Sequence, residues 1–237
     1  MQLCDNEHMA KHIGIVACSA EGAALCYRTI CEEGDRRLGN YRHPEITMHT
    51  HSLGDYMQFI DADDWQGVAG LMLSSAGKLA QAGADFVICP DNTVHRAFEL
   101  VAPTSPLPWL HIAGEVAAEA KRRGFRKLAI TGTRYTMEGP VYSEKLAEVQ
   151  IECLSPNEAE RQRINEIIFD ELVRGIFTGA SRSDFHRIIN RMMDDGCDAV
   201  VLGCTEIPLL IDDASSPLPT LDSTRILARA AVQRALD

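Results

Sequence analysis

Two stretches of this chain, 113 residues apart, repeat one pattern, and that repeat limits the fold more than any other feature. Ala82–Asn92 reads AGADFVICPDN and Asp195–Thr205 reads DGCDAVVLGCT. Each passes from a glycine at the end of a helical pattern to an aspartate and four apolar residues. A small turn residue follows, then a reactive side chain, Asp91 or Cys204, then a polar amide or hydroxyl. Gly83 and Gly196 suit the left-handed position that closes a helix. A second pair, Lys11–Cys18 against Arg126–Thr133, recurs at nearly the same offset, 115 residues. Each of these has a basic start, a strand and a small or polar end. Two agreeing offsets indicate a chain built from two similar halves.

The apolar runs Ile13–Ala17, Asp85–Cys89, Lys127–Thr131 and Ala199–Gly203 are short and continuous, as expected of parallel strands covered on both faces. Arg42–Leu53 offers a further strand. Helical patterns at Trp65–Ala82, Ile112–Arg123, Gln162–Arg174 and Arg182–Asp195 alternate with them, which predicts right-handed βαβ units. The expected fold class is α/β, with two similar open, mostly parallel-sheet domains in a pseudo-twofold relation and the active site in the cleft between them. Proline-rich Ala102–Pro108 and Ser215–Pro219 read as crossings. They divide the chain into 1–105 plus 216–237 for the first domain and 106–215 for the second.

Composition narrows the function classes. With 46% hydrophobic and 24% charged residues in 237, the chain can bury a core without disulfides. No apolar run approaches the ~18 residues of a membrane span. Met1–Lys11 lacks a basic segment followed by an apolar core, so no signal peptide is expected; the expected location is cytoplasmic, with no membrane partner. A net charge of −11 repels phosphate backbones, which argues against nucleic acid. The eight cysteines contain no C-x-x-C pair, so most are expected to be reduced, buried and free of metal. Neither a phosphate loop, a dinucleotide fingerprint nor a nucleophile elbow occurs. No cofactor is expected.

Ligands of open α/β sheets sit beyond the carboxyl ends of the strands, where Asp91 and Cys204 both fall. Facing halves would bring the two residues to one cleft. A helix following Cys204 would favour its thiolate, and Glu206 could take the thiol proton or orient a substrate amine. A partly buried Asp91 near a thiolate would have its pKa raised into a range useful for donating a proton. The plainer roles are a buried small residue for Cys204 and a helix N-cap for Asp91. Asn92, Thr93, Thr133 and Thr205, with Ser19 after the first strand, could bind a small carboxylate through hydroxyls, amides and backbone N–H groups. His95 lies one turn beyond Asp91, as a supporting group or simply a satisfied polar side chain.

Together these segments resemble the aspartate/glutamate racemase family. Gly203-Cys204-Thr205-Glu206-Ile207-Pro208-Leu209-Leu210 is similar to its second catalytic motif. Pro90-Asp91-Asn92-Thr93-Val94-His95 resembles its first, usually Pro-Cys-Asn-Thr-x-His. Gly132–Glu138 and Ile164–Leu172 match further family segments. The resemblance implies a pyridoxal-phosphate-independent racemase of amino acids, a two-base enzyme in which acids on opposite faces of the α-carbon exchange its proton. Here Cys204 is one acid and Asp91 stands where the second cysteine is expected. Reversible transfer requires a thiol (pKa ~8.5) and an aspartate (~3.9) to converge. Other departures are Ala17-Cys18-Ser19 for a Gly-Gly-Met segment, Ile176 for a lysine and Leu227 for a histidine. Loss of the lysine removes a bond to a distal carboxylate worth ~1.5–3 kcal/mol, and favours a less polar substrate. A homodimer is implied by the resemblance and is common among soluble oligomers. The alternatives are a Cys204-dependent isomerase or decarboxylase, as in maleate isomerase and arylmalonate decarboxylase, and a carboxylate-binding paralogue without catalysis.

Overall fold

A computed structural model describes residues 10–237; Cys4 and most of the Met1–Lys11 segment lie outside them. Among the described residues, eight strands form two four-stranded parallel sheets. The first contains β1 (Ile13–Ala17), β2 (Ile46–Thr50), β3 (Phe86–Ile88) and β4 (Trp109–Leu110), in the order β2-β1-β3-β4. The second contains β5 (Lys127–Gly132), β6 (Glu152–Leu154), β7 (Ala199–Gly203) and β8 (Thr220–Asp222), in the order β6-β5-β7-β8. The two orders are the same, so the sequence repeat is a structural one.

Local chemistry explains why the repeated aspartate is needed. The Asp85 carboxylate accepts from the backbone N–H of His12 at 2.7 Å, where β1 begins. The Asp198 carboxylate accepts from Arg126 and Lys127 N–H at 2.8 and 3.2 Å, where β5 begins. Each aspartate therefore ties the start of its own strand to the start of the neighbour, fixing register. Gly83 and Gly196, at φ of 91° and 90°, turn the chain out of the preceding helix where a side chain would be strained.

Central strands β1, β3 and β7 are buried throughout, because helices cover both faces. The Ala20–Leu38 and Ser223–Leu236 helices cover one face of the first sheet and the Trp65–Gln81 helix covers the other. Ile112–Arg123 and Val141–Glu148 cover one face of the second sheet, with Gly179–Asp194 and the segment 164–172 opposite.

Three expectations need correction. The exchange points near 105 and 216 come too early: β4 still pairs with β3, and β8 still pairs with β7. Only after Asp222 does the chain return, when Leu227, Ala228, Ala231 and Val232 join the first core. The helix expected over Gln162–Arg174 is α-helical only as Glu158–Glu166, then winds as a π-turn at Ile167–Glu171 and a tight 3₁₀ turn at Leu172–Arg174. Finally, Leu227 is fully buried in the first core and Ile176 is 46% exposed; neither lines the cleft described below, so neither departure alters its wall. Among the described residues no helix is long and apolar enough to cross a membrane.

Candidate active site

The carboxyl ends of β1, β3, β5 and β7 converge on a cleft of about 440 Å³ between the two halves. Asp91, Cys204, Asn92, Thr93, Thr133, Thr205, Glu206 and Ser19 all lie on its wall. Close packing at the junction rests on Gly22, in the first turn of the Ala20–Leu38 helix. A Cβ there would come within 2.7 Å of the Pro90 carbonyl and 2.9 Å of Thr205, so a glycine lets one helix touch both motif loops.

The Cys204 thiol donates to Glu206 Oε2 at 2.8 Å, and the Thr205 hydroxyl donates to the same oxygen at 2.9 Å. Burial pushes the Cys204 thiol well above its ordinary range; the neighbouring Glu206 charge and Asp91 add to the shift. This reverses the expected effect of a following helix. That helix, Ile207–Leu210, has only four residues, too short to offset desolvation. The cleft thus favours the thiol form of the sulfur, which is in hydrogen-bond contact with the Glu206 carboxyl group.

Asp91 projects from the loop after β3. Its Oδ1 accepts from Val94 N–H at 3.3 Å, the capping role, while the side chain also lines the cleft. Burial raises its pKa; the Val94 N–H and the adjoining Cys18 thiol oppose the rise, and the Glu206 charge reinforces it. Thus the cleft makes a carboxyl a better proton holder than it would be in water.

The remaining predicted side chains divide by what they touch. Thr93 and Thr133, from opposite halves, approach at 3.2 Å between hydroxyl oxygens. Ser19 Oγ accepts from Gly22 N–H and caps the helix. Asn92 is largely engaged elsewhere: its Oδ1 accepts from Tyr142 at 2.6 Å and its Nδ2 donates to Ser223 at 3.1 Å. Ser223 in turn donates to the Leu202 carbonyl. Asn92 is a buried strut between halves, with one amide hydrogen left.

His95 is buried behind the wall. Its Nε2 accepts from Ile112 N–H at 3.2 Å, so its Nδ1 carries the proton and donates to the Asp91 carbonyl at 2.7 Å. Burial lowers its pKa to about 4. A neutral imidazole therefore locks the Asp91 loop to the start of the Ile112–Arg123 helix.

Sequence reasoning missed Cys18 as a site residue. It lines the cleft beside Asp91, and its signal was present, because the repeat pairs Cys18 with Thr133. It also missed the apolar wall contributed by the Leu53–Asp61 helix and the π-turn. Ile168 and Phe169 fall in the family-like segment Ile164–Leu172, but no motif marks the Leu53–Asp61 part of the wall.

Paired parallel α/β halves presenting a thiol and a carboxyl to a shared cleft define a class of protein that handles small acids between strand ends. The family model described as Asp/Glu/Hydantoin racemase matches residues 13–231, and the chain belongs to that family. The broad specificity amino-acid racemase RacX of Bacillus subtilis (strain 168) is 24% identical over 161 residues, spanning 68% of this chain and 69% of RacX. A candidate Asp/Glu racemase from Yersinia pestis, of known structure, is 33% identical with a TM-score of 0.89, covering 96% of this chain and 100% of that one. An aspartate racemase homologue from Pyrococcus horikoshii OT3 is 29% identical with a TM-score of 0.85, covering 96% and 100% respectively. Membership supports a racemase-type isomerase.

Proposed function

We propose that this protein is a cofactor-independent amino-acid racemase in which Cys204 and Asp91 exchange the α-proton from opposite faces. The observation that carries the reading is the placement of these two acids at equivalent strand ends on one cleft wall. The thiol proton passes along the 2.8 Å bond to Glu206, leaving a thiolate. The thiolate takes the α-proton, so a C–H bond breaks and an S–H bond forms. The electron pair delocalises into the substrate carboxylate. Protonated Asp91 then delivers its proton to the other face, breaking O–H and forming C–H. The opposite enantiomer runs the sequence in reverse. Thr93, Thr133 and Thr205 border the carboxylate position.

The raised pKa of Asp91 favours this assignment, since a donor must keep its proton near neutral pH. Incubation in D₂O with L- and D-amino acids, followed by NMR of the α-proton, tests it. Exchange with appearance of the mirror-image form, lost in Cys204→Ala, is expected. Exchange that is unaffected by replacing Asp91 would overturn the assignment.

A second reading is favoured by the Cys204–Glu206 bond, which is a self-contained proton donor. One thiol suffices for a decarboxylase or isomerase. Such an enzyme yields a single enantiomer, whereas a racemase yields both.

A further inference from the structure

Beyond the strand ends the cleft is walled by hydrocarbon. Leu53, Met57 and Ile60 come from the Leu53–Asp61 helix of the first half; Ile168, Phe169 and Val173 come from the second. The π-turn at Ile167–Glu171 helps aim this second wall: an extra residue in the turn rotates the side chains relative to a regular helix. Ile60 and Ile168 are buried at 4% and 1% exposure, whereas Leu53 and Val173 remain 38% and 45% exposed. Apolar surface therefore lines one side of a cavity of small-molecule size.

Charge points the same way. Among the described residues, the ionisable side chains on the wall are acidic or thiol groups and Tyr135; no lysine, arginine or histidine lines it. The acids are Asp61, Asp91 and Glu206. Arg134 stands behind Tyr135, donating to its hydroxyl at 2.9 Å and stacking 4.7 Å from its ring. Tyr135 donates in turn to Asp61 at 2.9 Å, so the nearby cation already has an acidic counterpart. A second carboxylate on a substrate would meet hydrocarbon and like charge, and would lose its water without a replacement.

Resting on the racemase reading above, we propose that the substrate's side chain is apolar, from leucine to phenylalanine in size, and that dicarboxylic amino acids are poor substrates. Leu53, Met57, Ile60, Ile168, Phe169 and Val173 are then the residues that determine specificity. Apolar pockets discriminate by contact area, and the effect of one methylene is about tenfold or more.

The test compares α-proton exchange of L-leucine, L-methionine and L-phenylalanine with that of L-aspartate and L-glutamate, in D₂O by NMR. Exchange of the apolar set about tenfold faster than either dicarboxylic acid is expected. Aspartate or glutamate exchanging as fast or faster overturns the inference, and its loss in Arg134→Ala would identify the cation responsible. Met57→Lys and Phe169→Lys should each move the glutamate-to-leucine ratio toward glutamate by about tenfold; an unchanged ratio in both overturns the assignment of the wall. Hydantoins bearing the same side chains form a parallel arm. Exchange confined to them upholds the apolar subsite and overturns the amino-acid headgroup. If nothing exchanges, the racemase reading fails, and the subsite is read from melting temperature with the same five amino acids. Stabilisation by the apolar set alone supports it; stabilisation by dicarboxylic acids, or by none, overturns it.

Discussion

The ends of β3 and β7 occupy equivalent places in two sheets of identical strand order, yet they carry different chemistry. The second half offers a thiol hydrogen-bonded to Glu206, two residues on in the same loop. The first offers a carboxyl whose neighbour is Cys18, at the end of an adjacent strand. A symmetric frame thus holds an asymmetric acid pair. The frame needs symmetry because both halves solve the same problem of starting strands in register, with Asp85 and Asp198. The chemistry has no such need: each acid must only hold or release a proton at the working pH. Burial raises both pKa values, making Asp91 a better proton holder but Cys204 a less ready thiolate. Glu206 adds to that rise; in the mechanism proposed above it also receives the thiol proton along the 2.8 Å contact.

Removing Cys204 should break this comparison most severely. If the proposed pair operates, Cys204→Ala leaves Asp91 without its opposing acid, and α-proton exchange should fall by about 10²–10⁴-fold, measured in D₂O by NMR. Melting temperature should change little by comparison, because the sulfur sits on the cleft wall.

Asp91 gives the next effect. Asp91→Asn should lower exchange by about 10²-fold, whereas Asp91→Cys, which restores chemical symmetry, should retain measurable racemisation with its pH profile shifted to the alkaline side. Stability gives a separate sign. Asp91 has a folded-state pKa above its unfolded value, so the native state holds more protons between the two, and stability falls as pH rises through that window. Asp91→Asn should therefore melt higher than the parent at pH 7, and the difference should close as pH is lowered toward 3.8, the ordinary carboxyl value.

How much of this was legible in the sequence follows from the same comparison. β1 and β7 could be read to the residue because strands buried on both faces are continuous apolar runs. Strands β4, β6 and β8 were not read, because two or three edge residues carry no period. Asp91 and Cys204 were legible through the repeat. Glu206 was named, but the direction of its effect on the thiol was not, since that depends on desolvation and on a 2.8 Å contact. The π-turn was invisible: a helix with one residue too many per turn has nearly the pattern of an ordinary one. The strut role of Asn92 was not legible, because its partners, Tyr142 and Ser223, lie 50 and 131 residues away.

His95 sharpens the comparison from the side of stability. It joins the Asp91 loop to the start of the Ile112–Arg123 helix. His95→Ala would leave the Asp91 carbonyl and the Ile112 N–H without their partner, costing about 3 kcal/mol and lowering Tm by roughly 6–12 °C. Its pH signature is specific. With an ordinary value of 6.5 and a folded value of about 4, the contribution is complete above pH 6.5 and is lost as pH falls toward 4. The window corresponds to about 3 kcal/mol. The parent protein should thus lose stability across that range more steeply than His95→Ala, as followed by urea denaturation at a series of pH values.

The smallest effect is expected where the halves touch in the open. Tyr135, on the second half, donates to Asp61 on the first, and Arg134 donates to the same hydroxyl. Asp61 and Arg134 are exposed, so water competes for every bond, and Tyr135→Phe should cost no more than about 1 kcal/mol. Its value lies in separating the two parts of the cleft. The Tyr135 hydroxyl is bonded to Asp61 and Arg134, whereas Cys204 is bonded to Glu206, so the phenylalanine variant should alter the KM for an apolar substrate by less than about threefold and leave kcat nearly unchanged. A large fall in kcat would instead mean that the Asp61–Tyr135 bridge sets how the two acids face one another, and that the asymmetry of the pair depends on closure of the halves as well as on the residues at the strand ends.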